Sequence, residues 1–153
     1  MALLLVQHGK SLSKTEDPQQ GLSREGFAET ERIAAVAKGY QVSVSQIRHS
    51  GKARARQTAE IFAAALNPPE GIVESAGLNP LDDVTAAAAS LDNRKNVMLV
   101  GHLPFMERLV SWLITASIDH PVFKFQNGGI VCLDQVPDTK SWIIKWTLMP
   151  HIG

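Results

Sequence analysis

The sequence predicts an α/β fold in which strands and helices alternate around a layered sheet. Three observations carry that expectation. Two short apolar runs, Ala2 to Val6 and Asn96 to Val100, have strand length and the unbroken hydrophobicity of strands buried on both faces. Between them lie segments whose apolar residues recur at helical spacing. The last third instead carries two runs, Ile130 to Val136 and Trp142 to Leu148, about Pro137-Asp138-Thr139-Lys140. That turn-forming stretch predicts an antiparallel hairpin.

Taken in order, the first strand ends abruptly in His8-Gly9, and a polar loop rich in Ser, Asp, Gln and Pro follows from Lys10 to Gly21. Ser23 is a good N-cap, and Phe27, Thr30, Ile33, Ala34 and Ala37 fall on one face of the helix it opens. Gly39 is placed to end that helix. A short strand is expected at Gln46 to His49. The next helix runs from Ala53 to Leu66, with Ala55, Ala59, Phe62 and Leu66 inward, and Pro68-Pro69 closes it. A strand at Ile72 to Glu74, a loop at Gly77 to Asp83 and an alanine-rich helix at Val84 to Leu91 come next. The second apolar strand also ends beside a histidine, in Gly101-His102. Pro104 suits the first turn of a helix reaching Thr115, with Phe105, Leu109 and Leu113 inward.

Composition narrows the function classes. The 153 residues, 44% of them apolar, suit one domain spanning 1–153 with a substantial core. Fifteen basic and fifteen acidic side chains cancel, so no global field points to nucleic acid or to an anionic membrane. The single cysteine, Cys132, cannot form an internal disulfide, which fits a reducing compartment. Met1 to Val6 is short for a signal peptide and lacks a basic flank. The expectation is a soluble, cytoplasmic protein.

Three predicted sheet ends carry chemistry. Ligands of open α/β sheets bind beyond the carboxyl ends of the strands, where His8 and His102 fall. At the third, His49 is followed by Ser50-Gly51-Lys52-Ala53-Arg54-Ala55-Arg56-Gln57-Thr58, which places cations at the first turn of a helix. A helix N-terminus favours anions, and an arginine fork matches phosphate oxygens. The residues alone thus point to a phosphate pocket with a histidine available as nucleophile. Nothing in them has metal-ligand spacing.

The segments Leu-Val-Gln-His-Gly, His-Ser-Gly-Lys-Ala-Arg-Ala-Arg-Gln-Thr-Ala-Glu and Val-Gly-His-Leu-Pro-Phe resemble the histidine phosphatase (phosphoglycerate mutase-like) superfamily. Within it they are most similar to the small SixA-type phosphohistidine phosphatases. Leu22-Ser23-Arg24-Glu25-Gly26 resembles the family's entry to its first helix. The resemblance runs from the first strand to the final hairpin. It implies a three-layer α/β/α sandwich with a mixed sheet and a C-terminal antiparallel hairpin, and a hydrolase that requires no metal or other cofactor. His8 would be phosphorylated, Arg54 and His102 would bind the phosphoryl group, and water would then release it. Gln7, Gly9, Ser50 and Lys52 would complete the phosphate cradle. The implied partner is a phosphohistidine-bearing protein such as a histidine phosphotransfer domain, with phosphate or a similar oxyanion in the pocket.

One departure stands out. Position 7 is Gln, where the family has Arg. Lys52 is the first candidate to supply the missing charge, and Arg56 the second. Asp83, in Asn79-Pro80-Leu81-Asp82-Asp83, is the candidate general acid; the other reading of these aspartates is a cap on the helix at Val84. A phosphohistidine substrate loosens the need for an acid, because imidazole, with a pKa of about 6.5, leaves easily. Two rival functions stay open at this stage: a phosphatase for small phosphoesters or phosphosugars, and a non-catalytic phosphate-binding module. His49 either lines the pocket or makes a structural hydrogen bond. Asn127-Gly128-Gly129 reads as a turn whose backbone could border the pocket, His120 and His151 as surface residues, and Trp112, Trp142 and Trp146 as packing. Cys132 lacks an arginine six residues on, as a cysteine-phosphatase loop would need, and Gly51-Lys52 lacks the rest of a P-loop.

Overall fold

The computed structural model describes residues 2–91 and 94–153; Met1, which opens the first apolar run, and Asp92 and Asn93 lie outside the described residues. Strand β1 (Ala2–Gln7) is the centre of the architecture, with Leu3 to Val6 buried. Helix α1 (Arg24–Gly39), strand β2 (Gln46–His49), helix α2 (Ala53–Leu66) and strand β3 (Ile72–Glu74) follow. Then come α3 (Val84–Ala89), β4 (Val97–Gly101), α4 (Phe105–Thr115), β5 (Ile130–Gln135) and β6 (Trp142–Leu148). The strands form one six-stranded sheet in the order β3-β2-β4-β1-β5-β6. Strand β1 pairs in parallel with β4 and antiparallel with β5, and β5 returns antiparallel to β6 as the expected hairpin.

Alternate residues of a strand point to opposite faces, so β1 feeds two cores. Leu4 and Val6 join Met98, Val100, Ile130 and Cys132 against Ile33 and Ala37 of α1 and Ala59 and Phe62 of α2. Leu3 and Leu5 join Leu99, Val131 and Leu133 against Val84 of α3 and Phe105, Met106 and Leu109 of α4. Helices therefore cover both faces, and the result is a three-layer α/β/α sandwich. Each fully buried Leu contributes roughly 1.5–3 kcal/mol to that arrangement. Cys132 lies inside it, 1% exposed, opposite Leu4 and Trp146 in the ladder, and burial pushes its thiol up to about 11.

Several expected details shift. Phe27 is exposed, and Gly26 takes the inward place at the start of α1. A Cβ on Gly26 would strike the Lys10 carbonyl, so the loop after β1 presses on the helix and leaves no room for an aromatic ring there. Gly39 stays helical; Tyr40 is the C-cap, and Gln41 takes the left-handed conformation. Helix α3 ends at Ala89, short of Leu91. Pro104 is the N-cap of α4, after a cis Leu103–Pro104 bond, and Leu113 is only half-buried while Met106 and Val110 are buried. Among the described residues no helix is long and apolar enough to cross a membrane.

Candidate active site

The carboxyl ends of β1, β2 and β4 share one edge of the sheet. Gln7 pairs with Gly101 and His49 with Val100, so His8 and His102 emerge side by side. The His8 backbone N–H donates to the Gly101 carbonyl (2.9 Å), carrying the ladder one residue past β1. Their rings lie 5.0 Å apart between centroids, tilted by 53°.

His8 Nδ1 is 2.7 Å from its neighbour's carbonyl oxygen, that of Gly9. A carbonyl oxygen only accepts, so Nδ1 carries the proton and donates. Burial lowers the His8 pKa to about 4, against the pull of that carbonyl and with help from Arg54. At neutral pH the ring is uncharged, and Nε2 keeps its lone pair.

His102 is 2% exposed. Burial pushes it down to about 3, reinforced by His8, Arg54 and Lys52. Its Nε2 meets Ser50 Oγ at 2.7 Å, while its Nδ1 is buried with no hydrogen-bond partner. Gln7 Oε1 is likewise buried without one. Buried polar atoms are nearly always paired, so such atoms mark where a polar ligand group would be satisfied.

Arg54 lies in the first turn of α2, half-buried, its pKa lowered by burial. An arginine remains charged regardless. The N-cap of α2 is Lys52, whose side chain makes no cap bond, so the first N–H groups of the helix are left for an anion. Lys10 is held by Glu25 (2.7 Å) and Glu29 (3.1 Å), and Arg56 faces Glu60 along the solvated side of α2. Lys52, exposed, makes no ion pair among the described residues. Gly51, before it, has φ +93°, a conformation that only glycine adopts readily, and a Cβ there would strike Glu74.

Two expected assignments change. The Asp83 carboxylate caps α3, accepting from Thr85 N (2.9 Å) and Thr85 Oγ1 (2.7 Å), and these bonds hold its pKa below the usual range. An ionised cap has no proton to give, and no carboxylate is among the groups that shift either site histidine. Gly9 does not turn its N–H to a phosphate: that N–H donates to Thr58 Oγ1 (2.9 Å). Its lack of a side chain is needed for close packing, since a Cβ would lie 2.6 Å from Thr30 Oγ1. His49 takes its structural role, its Nδ1 accepting from Gly51 N (3.0 Å). His151 is tied down beside Glu29 (3.0 Å) by a chain end that also accepts from Arg32.

The residues alone gave Thr58 no role and read Asn127 only as part of a turn whose backbone could border the pocket. Thr58 is fully buried between Gly9 N and the Arg54 carbonyl. Asn127 Nδ2 donates to the His8 carbonyl (2.9 Å), and Gly128 N donates to that of Gln7. The only sequence signals were Thr58's place in the second motif and the Asn-Gly-Gly turn before β5.

No family model matches the chain. The phosphohistidine phosphatase SixA of Escherichia coli (strain K12) is 27% identical over 156 residues, covering 98% of this chain and 94% of the relative. The structure of the protein histidine phosphatase SixA complexed with tungstate superposes with a TM-score of 0.84 at 25% identity, over 98% of this chain and 97% of that one. The chain is a homologue of the SixA phosphohistidine phosphatases. A SixA-like structure from Agrobacterium tumefaciens agrees, with a TM-score of 0.77 at 28% identity over 97% of both chains. The fold of this SixA homologue is the phosphoglycerate mutase-like one expected of it, including the C-terminal antiparallel pair.

Proposed function

We propose that the protein removes phosphate from phosphohistidine on a protein, through a phosphoenzyme formed on His8. The observation that carries this reading is the His8 Nδ1–Gly9 carbonyl bond, which leaves a neutral imidazole with a free Nε2 beside His102, Arg54 and Lys52. In the first step the Nε2 lone pair forms a bond to phosphorus as the bond to the departing imidazole nitrogen breaks, and the imidazole leaves with that electron pair. Water then attacks phospho-His8 in line, the P–Nε2 bond breaks, and His8 recovers its lone pair as the water loses a proton. Charge on the transferring group is spread over its oxygens, so positioned cations and N–H donors do most of the stabilising.

The ionised state of Asp83 favours this substrate over a stable ester. An alkoxide needs a proton to leave, whereas a phosphohistidine ring that carries a proton on its other nitrogen departs as neutral imidazole, whose conjugate acid has a pKa of about 6.5. The partner is a phosphohistidine-bearing protein such as a histidine phosphotransfer domain. Lys52 supplies the charge that Gln7 lacks, and the Gln7 amide adds a neutral donor.

Rapid-quench trapping with a phosphohistidine protein as donor tests the reading. Acid-labile, alkali-stable label is expected on the wild type and none on His8→Ala. Faster turnover of small phosphoesters would move the assignment to that substrate class. Donor binding with no label and no phosphate release would leave a binding module.

A further inference from the structure

We propose that Thr58 and Asn127 are positioning residues that lock the His8–Gly9 peptide and thereby set the protonation pattern of the His8 ring. The proposal rests on His8 being the nucleophile. The carbonyl of His8 and the N–H of Gly9 belong to one planar peptide unit. Asn127 Nδ2 holds the carbonyl end at 2.9 Å and Thr58 Oγ1 the N–H end at 2.9 Å. One clamp comes from the turn before β5 and the other from α2, so the plane is fixed from two separate elements.

The peptide beyond the next one, Lys10–Ser11, is fixed as well. The Lys10 carbonyl accepts from Ser23 N (2.9 Å) and Ser23 Oγ (3.2 Å), and the missing side chain of Gly26 lets it lie against α1. The Gly9–Lys10 peptide therefore lies between two fixed ones, and its carbonyl, the oxygen that receives Nδ1–H, has little freedom left. If that oxygen swung away, either ring nitrogen of His8 could carry the proton. A ring protonated at Nε2 has no lone pair there and cannot attack phosphorus through that nitrogen.

Thr58 does a second thing. Its hydroxyl has one proton, which goes to the Arg54 carbonyl at 2.8 Å, while a lone pair receives Gly9 N–H. A mid-helix threonine commonly bonds back to the carbonyl four residues before it. Here the same oxygen also reaches across to the first motif. The nucleophile loop and the turn that carries the Arg54 guanidinium are thus joined through one buried oxygen, with no side chain of the substrate-binding group between them.

The test compares Thr58→Val, which keeps the shape and removes the hydroxyl, with Thr58→Ser, which restores it. Nitrogen-15 NMR of the free protein reads the His8 tautomer without any need for activity, and rapid quench reads phosphoenzyme formation. Wild type and Thr58→Ser are expected to show Nδ1–H alone. Thr58→Val is expected to show both tautomers and to phosphorylate roughly 10 to 100-fold more slowly. An unchanged tautomer in Thr58→Val overturns the proposal, whatever happens to the rate. Should Thr58→Val fail to fold, Asn127→Ala is measured in its place with the same two outcomes. Absence of a phosphoenzyme in the wild type would defeat the nucleophile assignment, while the tautomer comparison would still decide the clamp.

Discussion

At the scale of single residues, the site is unusual in where its charge sits. A guanidinium at position 7 would be held in the sheet edge; Lys52 stands on an exposed helix cap, and Gln7 keeps a buried amide oxygen without a partner. Replacing Lys52 by Ala is expected to slow phosphorylation of His8 by roughly 100 to 1,000-fold, the scale of one lost oxyanion donor. Gln7→Arg in that background is expected to recover much of the loss. Rapid-quench rates for the two variants check both statements, and an unaffected Lys52→Ala would remove Lys52 from the cradle. The histidines also tie stability to acidity. Both are held below the unfolded value of about 6.5, at about 4 for His8 and about 3 for His102, so between those limits the unfolded chain binds more protons. Stability therefore declines as pH falls through about 6.5 and this contribution levels off below about 3. Urea unfolding across that range should show the slope, and His102→Asn should flatten it.

At the scale of elements, local pattern and tertiary contact divide the explanation between them. Strand β1 and β4 were legible because unbroken apolar runs ending in histidine need no partner to be recognised, and α2 because Ala55, Ala59 and Phe62 repeat at helical spacing. The start of α1 was not, because what decides its inward face is the Lys10 backbone lying against Gly26. Gly26→Ala is accordingly expected to destabilise the protein by about 2 kcal/mol or more. Denaturant unfolding measures that loss, and an exposed control such as Ala28→Gly should change stability by only about 1 kcal/mol. The same division runs through the site. His8, Arg54 and His102 could be named from motifs that each sit at one strand end. Asp83 could not be resolved, since a cap and a general acid look alike in sequence until Thr85 is seen holding the carboxylate. Thr58 and Asn127 depend on partners 49 and 119 residues away, a distance no local pattern reports.

At the scale of the whole molecule, the mixed sheet explains why so few residues suffice. Parallel pairing of β1, β2 and β4 brings three carboxyl ends to one edge, and the antiparallel β5 begins at that same edge. Its preceding turn can therefore reach the first motif directly. A sheet of parallel strands alone would need a crossover to bring a fourth segment there. The candidate site is gathered at this edge, while the cysteine lies in the packed interior between the sheet and its helices.

That separation has a bearing on oxidative stress. Phosphatases that attack with a thiolate are switched off when peroxide converts the sulfur to sulfenic acid, because the low pKa that makes it reactive also makes it oxidisable. In the proposed mechanism the attacking atom is a ring nitrogen, and the only sulfhydryl is 1% exposed and raised to about 11. Hydrogen peroxide at doses that silence thiolate enzymes should leave phosphate release by this protein unchanged, as a release assay before and after exposure would show. A dephosphorylation step built this way keeps running while its cysteine-dependent counterparts pause.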